Sequence, residues 1–237
     1  MLAAGSGVML DPRYITFNNV FDDEEDKRSP ILTWPEKERV FCLVSTPGGR
    51  VITGGDPSGD ISFWDSRTGT KEYDLSGHTE AVLSLCVVPK LNALFSAGAD
   101  STVRLWNLET LQNTMVFEGH RGFVVGLFAM MSETGTGLFS GSDDRTVKQW
   151  NSNSGACVHT YKGHKGPVNA ITGNENFIFS GSSDGIMKVW DCVHRRCVRT
   201  IDAHTDSIWS IIILWDSRDE PTLISSDSTT KLTGSSL

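Results

Sequence analysis

Gly77-His78, Gly119-His120 and Gly163-His164 recur along this chain, and Ala203-His204 follows as a degenerate fourth copy. Successive histidines lie 42, 44 and 40 residues apart. A second series keeps step with them: Trp64-Asp65, Trp106-Asn107, Trp150-Asn151 and Trp190-Asp191, again at 42, 44 and 40 residues. Two landmarks drifting by the same increments mark an internal repeat. A repeat restricts the chain to modules that bury their apolar surface on one another.

One module shows what is being repeated. After Gly163-His164 come Val168–Thr172, the turn-forming Gly173–Asn176, the aromatic and β-branched Phe177–Ser180, a tight turn at Ser183–Gly185, and Ile186–Trp190. A polar loop leads to Cys197–Ile201. These runs predict four short strands joined by tight turns, and none has a sustained helical apolar period. The fold class is therefore all-β, with four-stranded antiparallel sheets. Such a sheet has two apolar faces, and stacking copies radially hides both, which is a β-propeller.

The Gly-His and Trp-Asp landmarks resemble the WD-repeat family over roughly residues 39 to 237. Blades are expected at about 39–76, 77–118, 119–162, 163–202 and 203–237, preceded by an extension over 1–38. The resemblance implies a structural tetrad in three copies: His78, Ser96, Asp100 and Trp106; His120, Ser140, Asp144 and Trp150; His164, Ser180, Asp184 and Trp190. In the family the indole donates to the hydroxyl, the hydroxyl to the imidazole and the imidazole to the carboxylate. A hairpin centred on Arg145 is expected to place Ser140 opposite Trp150. Ser, His and Asp together also suggest a hydrolase triad, but the set occurs once per blade and no G-x-S-x-G elbow accompanies it. No enzyme activity is expected.

Two copies depart from the pattern. In the first, Thr53 replaces the serine, Ser58 stands where the family has Asp, and Pro57 lengthens the hairpin by a residue. In the fifth, Asp227–Leu232 aligns with Asp100–Leu105, which sets Thr233 in the tryptophan's place. Trp215-Asp216 falls in the first half of that copy and is not the landmark. Ala203 replaces the glycine but His204 is kept.

The five cysteines (Cys42, Cys86, Cys157, Cys192 and Cys197) form no C-x-x-C pair. Without a signal-like leader they read as reduced thiols, buried or half-buried, rather than disulfides or metal ligands. The glycine-rich Ser140–Ser142 and Ser180–Ser182 segments lack the lysine of a phosphate loop. No cofactor and no metal are expected.

Twenty-nine acids against 21 bases give a net charge of −8, the wrong sign for a chain whose main ligand is nucleic acid. No apolar run reaches the roughly 18 residues of a spanning helix, so no membrane insertion is expected. Residues 21–30 carry five consecutive acids and read as a solvated linker. Tyr14–Phe17 and Ile31–Trp34 are strand-like and belong to a degenerate blade or supply a closing strand. Five repeats are fewer than a seven-bladed ring needs, so an incomplete or partial ring is expected, with a compact five- or six-bladed ring as the alternative.

What remains is a rigid disc with variable loops, a shape suited to binding proteins or peptide motifs within a larger complex. The face implied by the resemblance presents Thr79, Glu80, Arg121, Phe123, Lys165, Thr205 and Asp206, with Asp143, Arg145 and Ser183 from the neighbouring turns. Phe123 and Arg121 are the residue types that dominate binding hot spots, although Phe123 packed into its own blade is the plainer reading. A non-catalytic scaffold or adaptor is expected. The alternatives are a substrate-recognition subunit of a ubiquitin ligase and, further off, a chromatin or nucleic-acid reader. The setting is intracellular, cytoplasmic or nuclear.

Overall fold

A computed structural model describes residues 39–56, 58–132, 135–174, 176–215, 221–227 and 232–236. The extension over 1–38, with its acidic run and its two strand-like segments, lies outside the described residues, as does Pro57.

Antiparallel sheets follow one another along the chain. The first joins β1 (Arg39–Ser45), β2 (Arg50–Asp56), β3 (Ile61–Asp65) and β4 (Lys71–Leu75). The second joins β5 (Val82–Val88), β6 (Ala93–Gly98), β7 (Val103–Asn107) and β8 (Gln112–Phe117). The third holds β9 (Val124–Ser132), β10 (Gly135–Ser142), β11 (Thr146–Asn151) and β12 (Cys157–Lys162). The fourth holds β13 (Val168–Gly173), β14 (Phe177–Ser182), β15 (Ile186–Asp191) and β16 (Arg196–Asp202). The fifth has three described strands, β17 (Ile208–Trp215), β18 (Pro221–Asp227) and β19 (Leu232–Ser236). Trp215 closes the first strand of that sheet. Strand order within each sheet is sequential, so each is a meander.

The first strands pack side by side in the order β1, β5, β9, β13, β17, with no comparable packing of β17 on β1 among the described residues. The sheets therefore radiate as blades from an inner row of strands in an open arc. Burial follows the radius. In the fourth blade all but one residue of the inner β13 is buried, whereas every residue of the rim strand β16 except Ile201 is exposed.

The core is divided among the interfaces between blades. Val44, Ile52, Ile61, Phe63 and Leu75 of the first meet Val82, Leu85, Leu94 and Trp106 of the second. Phe95, Val103 and Phe117 then meet Val124, Leu127, Leu138 and Trp150. Phe139, Val147 and Tyr161 meet Val168, Ile171, Ile178 and Trp190. Phe179, Met187 and Val189 meet Ile208 and Ile211. Each large apolar side chain so buried contributes about 1.5–3 kcal/mol. Close approach is needed too: a Cβ at Gly181 would stand 2.5 Å from Cγ2 of Ile208 in the next blade.

Two registers differ from expectation. Ser140 pairs with Lys148, and Trp150 pairs with Leu138. The indole therefore reaches the hydroxyl diagonally, between residues on one face of the sheet. In the fifth blade Ser226 pairs with Leu232 and Leu223 with Ser235, as Ala97 pairs with Val103 and Leu94 with Trp106. Ser235, not Thr233, thus occupies the tryptophan's position, and Asp227 sits two residues earlier in the hairpin than Asp100 does. The first hairpin is one residue longer between its last ladder pairs than the others.

Candidate protein-binding face

Each complete tetrad begins at the middle of its blade. The Trp150 indole N–H donates to Ser140 Oγ at 2.7 Å, and Ser140 Oγ lies 2.7 Å from His120 Nε2. An indole N–H can only donate, so the serine spends a lone pair on it and gives its own proton to Nε2. The Nδ1–H of His120 then donates to Asp144 Oδ2 at 2.7 Å. The second blade repeats this, with Trp106 to Ser96 at 2.7 Å and His78 at 2.8 Å from both Ser96 and Asp100. Sequence reading misses what fixes the carboxylate. Thr102 and Thr146, two residues after each aspartate, donate both N–H and Oγ–H to the second carboxylate oxygen. Burial alone would push the Asp100 and Asp144 carboxyls up, but the imidazole and these donors outweigh it and hold both well below the ordinary carboxylate range.

The fourth blade is looser. Trp190, Ser180 and His164 link at 2.7 and 2.8 Å, but His164 Nδ1 stands 3.5 Å from Asp184 Oδ2 and makes no hydrogen bond. Ile186 takes the threonine's place and offers Asp184 Oδ1 only its N–H. Asp184 Oδ2 accepts the Lys165 N–H at 2.7 Å, closer than the 3.1 Å of the equivalent bonds to Asp100 and Asp144. Burial, with the nearby Lys188 charge, therefore lowers the His164 pKa to about 4 despite Asp184.

The fifth blade forms a set that the sequence alignment did not show. His204 lies 2.8 Å from Ser225 Oγ and 2.9 Å from Asp227 Oδ2. The tryptophan position is Ser235 here, and Ala203 stands in the glycine's place. At Gly77 a Cβ would meet the Trp106 ring at 2.8 Å, whereas the fifth blade has a serine in register with that tryptophan. In the first blade Trp64 donates to Thr53 Oγ1 at 2.9 Å, and the Ser58 hydroxyl accepts the Asp60 N–H within its own turn.

These serines are sealed. Ser96, Ser140 and Ser180 are 0% exposed, so the hydroxyls that a hydrolase would present to its substrate are buried here. The residue after each tryptophan has its own task. Asp65, Asn107, Asn151 and Asp191 each accept, through Oδ1, the backbone N–H groups two and three residues on, folding the turn into the rim strand.

The tetrads also fix one end of the arc. The backbone N–H of Thr79, Arg121 and Lys165 each donates to the tetrad carboxylate of its blade. Ala99, Asp143 and Ser183 N–H donate to the carbonyls of Ala81, Phe123 and Pro167. The loops entering the second, third and fourth blades are thus pinned to the turns of their central hairpins, and the two share a face. On it Thr79, Glu80, Arg121, Arg145, Lys165, Thr205 and Asp206 are exposed, and Asp143 and Ser183 are half-buried. Phe123 is 48% exposed and so is not packed into its own blade. Burial, then the Asp144 charge, holds the Asp143 carboxyl above its ordinary range. Ser183 is tied to Asn169, whose amide also reaches the Ile208 carbonyl of the next blade at 3.0 Å.

The cysteines divide differently from expectation. Burial pushes the Cys86 and Cys192 thiols up to about 11 and Cys42 higher still. Cys157 and Cys197, however, are exposed. They sit at matching bulges opposite Trp150 and Trp190, on rim strands that no further strand covers among the described residues.

Radial four-stranded blades pegged by Trp–Ser–His–Asp chains define the β-propeller class. A family model described as WD domain, G-beta repeat matches residues 69–107, 111–151, 155–191 and 195–233, and the chain belongs to that family. The first matched unit runs from the rim strand of one blade through three strands of the next, so sequence unit and sheet are offset by one strand.

The WD40 β-propeller domain of Doa1 superposes with a TM-score of 0.76 at 22% identity, covering 97% of this chain and 73% of that one. The computationally designed protein Ika8 gives 0.72 at 24% identity, over 88% of this chain and 62% of the other. Among sequence relatives, the periodic tryptophan protein 2 homolog of Neurospora crassa is 35% identical over 78 residues, 32% of this chain and 9% of the relative. Human striatin is 41% identical over 61 residues, 26% of this chain and 8% of striatin. The chain thus spans about a tenth of the length of these relatives. Among the described residues no helix is long and apolar enough to cross a membrane.

Proposed function

We propose that this protein is a non-catalytic interaction platform that engages partner proteins or peptide motifs through the loops pinned by its tetrads, inside the cell and within a larger assembly. The observation that carries the reading is the contrast at Arg121 and Phe123. Their backbones are fixed, through Asp144 Oδ2 and the Asp143 N–H, while their side chains are exposed. Pre-set aromatic and arginine side chains bind without a large ordering penalty. The same loops carry charges of both signs (Glu80, Arg121, Asp143, Arg145, Lys165 and Asp206), which suits a protein surface better than a polyanion. Five free thiols fit a reducing compartment.

The test is affinity purification from cell extract with the native chain and with Arg121→Ala/Phe123→Ala. The reading predicts proteins captured by the native chain and lost, by about tenfold or more, from a variant with the same melting temperature. Equal capture by both would contradict it. Recovery of cullin-type subunits would assign the platform to a ubiquitin ligase.

A further inference from the structure

The rim strands differ in charge, and one stands apart. On β4 the charges are answered at home, Glu72 by Arg50 at 2.7 Å and Lys71 by Asp74 at 2.7 Å. Strand β8 reads QNTMVF and carries no charge. On the fourth blade, Arg195, Arg196 and Arg199 fall within five residues of the turn and the start of β16. The carboxylate closest in sequence to Arg195 and Arg196 is already engaged: Asp191 accepts two backbone N–H groups through Oδ1, and His194 Nδ1 lies 2.7 Å from its Oδ2. Among the described residues neither Arg195 nor Arg196 is in an ion pair. The turn also reaches the preceding blade, where the charge of Arg195 adds to burial in lowering the His159 pKa. The positive charge of this turn and strand thus stands out on a chain whose net charge is −8.

Two further observations select the occupant. Val193, ahead of these arginines, and Val198, between Arg196 and Arg199, are 70% and 45% exposed. Strand β16 pairs with β15 along one edge, while its other edge meets no strand among the described residues. We propose that this edge docks an extended, acidic segment of a partner protein, by a surface separate from the loop face. Its backbone would continue the sheet from β16, its carboxylates would pair with Arg195 and Arg196, and an apolar side chain would cover Val198. A nucleic acid would use the arginines but neither the valines nor the backbone edge. The competing reading is that the arginines merely keep the edge from pairing with other chains.

The experiment uses the full chain and a fluorescein-labelled peptide of about nine residues alternating glutamate and valine, followed by anisotropy. Expected are saturable binding that weakens as salt rises, and loss by about tenfold or more in Arg195→Glu/Arg196→Glu at an unchanged melting temperature. The control Arg67→Glu, at a side chain 89% exposed on the first blade, should change binding less than about twofold. A peptide with alternate backbone amides methylated should bind about tenfold more weakly or worse, since it cannot pair with the edge. The proposal is overturned by no saturable binding, by equal binding to the double variant or to the methylated peptide, or by an oligothymidylate that binds as tightly and displaces the peptide.

Discussion

Asp144 and Asp184 hold equivalent turns, yet one grips its histidine and the other does not. The difference is a single hydroxyl: Thr146 holds Asp144 Oδ1 at 2.6 Å and turns Oδ2 to His120, whereas Ile186 gives Asp184 no such hold. Because the His164 pKa is lowered in the fold to about 4, the folded protein refuses a proton that the unfolded chain takes near its ordinary 6.5. His164 thus contributes its full stability above that ordinary value. The contribution falls as pH drops from about 6.5 towards 4, at up to about 1.4 kcal/mol per pH unit, and levels off below. Asp184, also lowered, loses its contribution in the more acidic range below its ordinary 3.8. Denaturant midpoints between pH 7.5 and 4.5 should fall less steeply for Ile186→Thr, which supplies the missing hydroxyl, than for the native chain. Parallel curves would mean that the hydroxyl does not set the imidazole's environment. At this scale the members of the three tetrads could be picked out because residue identity recurs at a fixed spacing, but the break between His164 and Asp184 could not. The Asp-x-Thr hold was not read, although Asp100–Thr102 and Asp144–Thr146 display it in the sequence. The set in the fifth blade was hidden for a different reason: Asp227 reaches His204 from another position of the hairpin, and only the register reveals it.

At the scale of the element, the turn of each central hairpin decides how the next blade seats. Ser101, Arg145 and Gly185 hold the same left-handed position, with φ of 65°, 69° and 77°. At Gly185 a Cβ would stand 2.3 Å from the His204 carbonyl oxygen, and the His204 N–H donates to the Gly185 carbonyl at 3.1 Å. Gly185→Ala should therefore destabilise the protein by about 1–3 kcal/mol. Arg145→Ala, where a side chain is already accommodated, should change the denaturant midpoint little. Equal effects of the two would show that contact with the next blade is not what the glycine serves. Strand positions were readable from alternation and turn residues, since each module repeats them. Registers were not, because a hairpin's ladder depends on how many turn residues leave the sheet. The exposure of Cys157 and Cys197 was missed for a related reason, as a rim strand has a sheet partner on one side only.

For the whole molecule, stability is shared between blades rather than contained within them. Cys86, Phe128 and Thr172 all lie under a following blade and are at least half-buried, while Ile212, at the same place on the fifth blade, is 40% exposed. The same flank holds Phe95, Phe139 and Phe179 at 1–3% exposure. The tetrads stand on these flanks: Trp150 belongs both to its own chain of hydrogen bonds and to the cluster with Phe95 and Phe117 of the second blade. Loosening one tetrad should therefore loosen the blade before it. Hydrogen exchange on His120→Ala, compared with the native chain, tests this directly. A loss of about 1–3 kcal/mol is expected at the tetrad. Faster exchange should follow in β10 and β11 and also in β6 and β7, which share no hydrogen bond with His120. Faster exchange confined to the third blade, or none anywhere, would contradict the account.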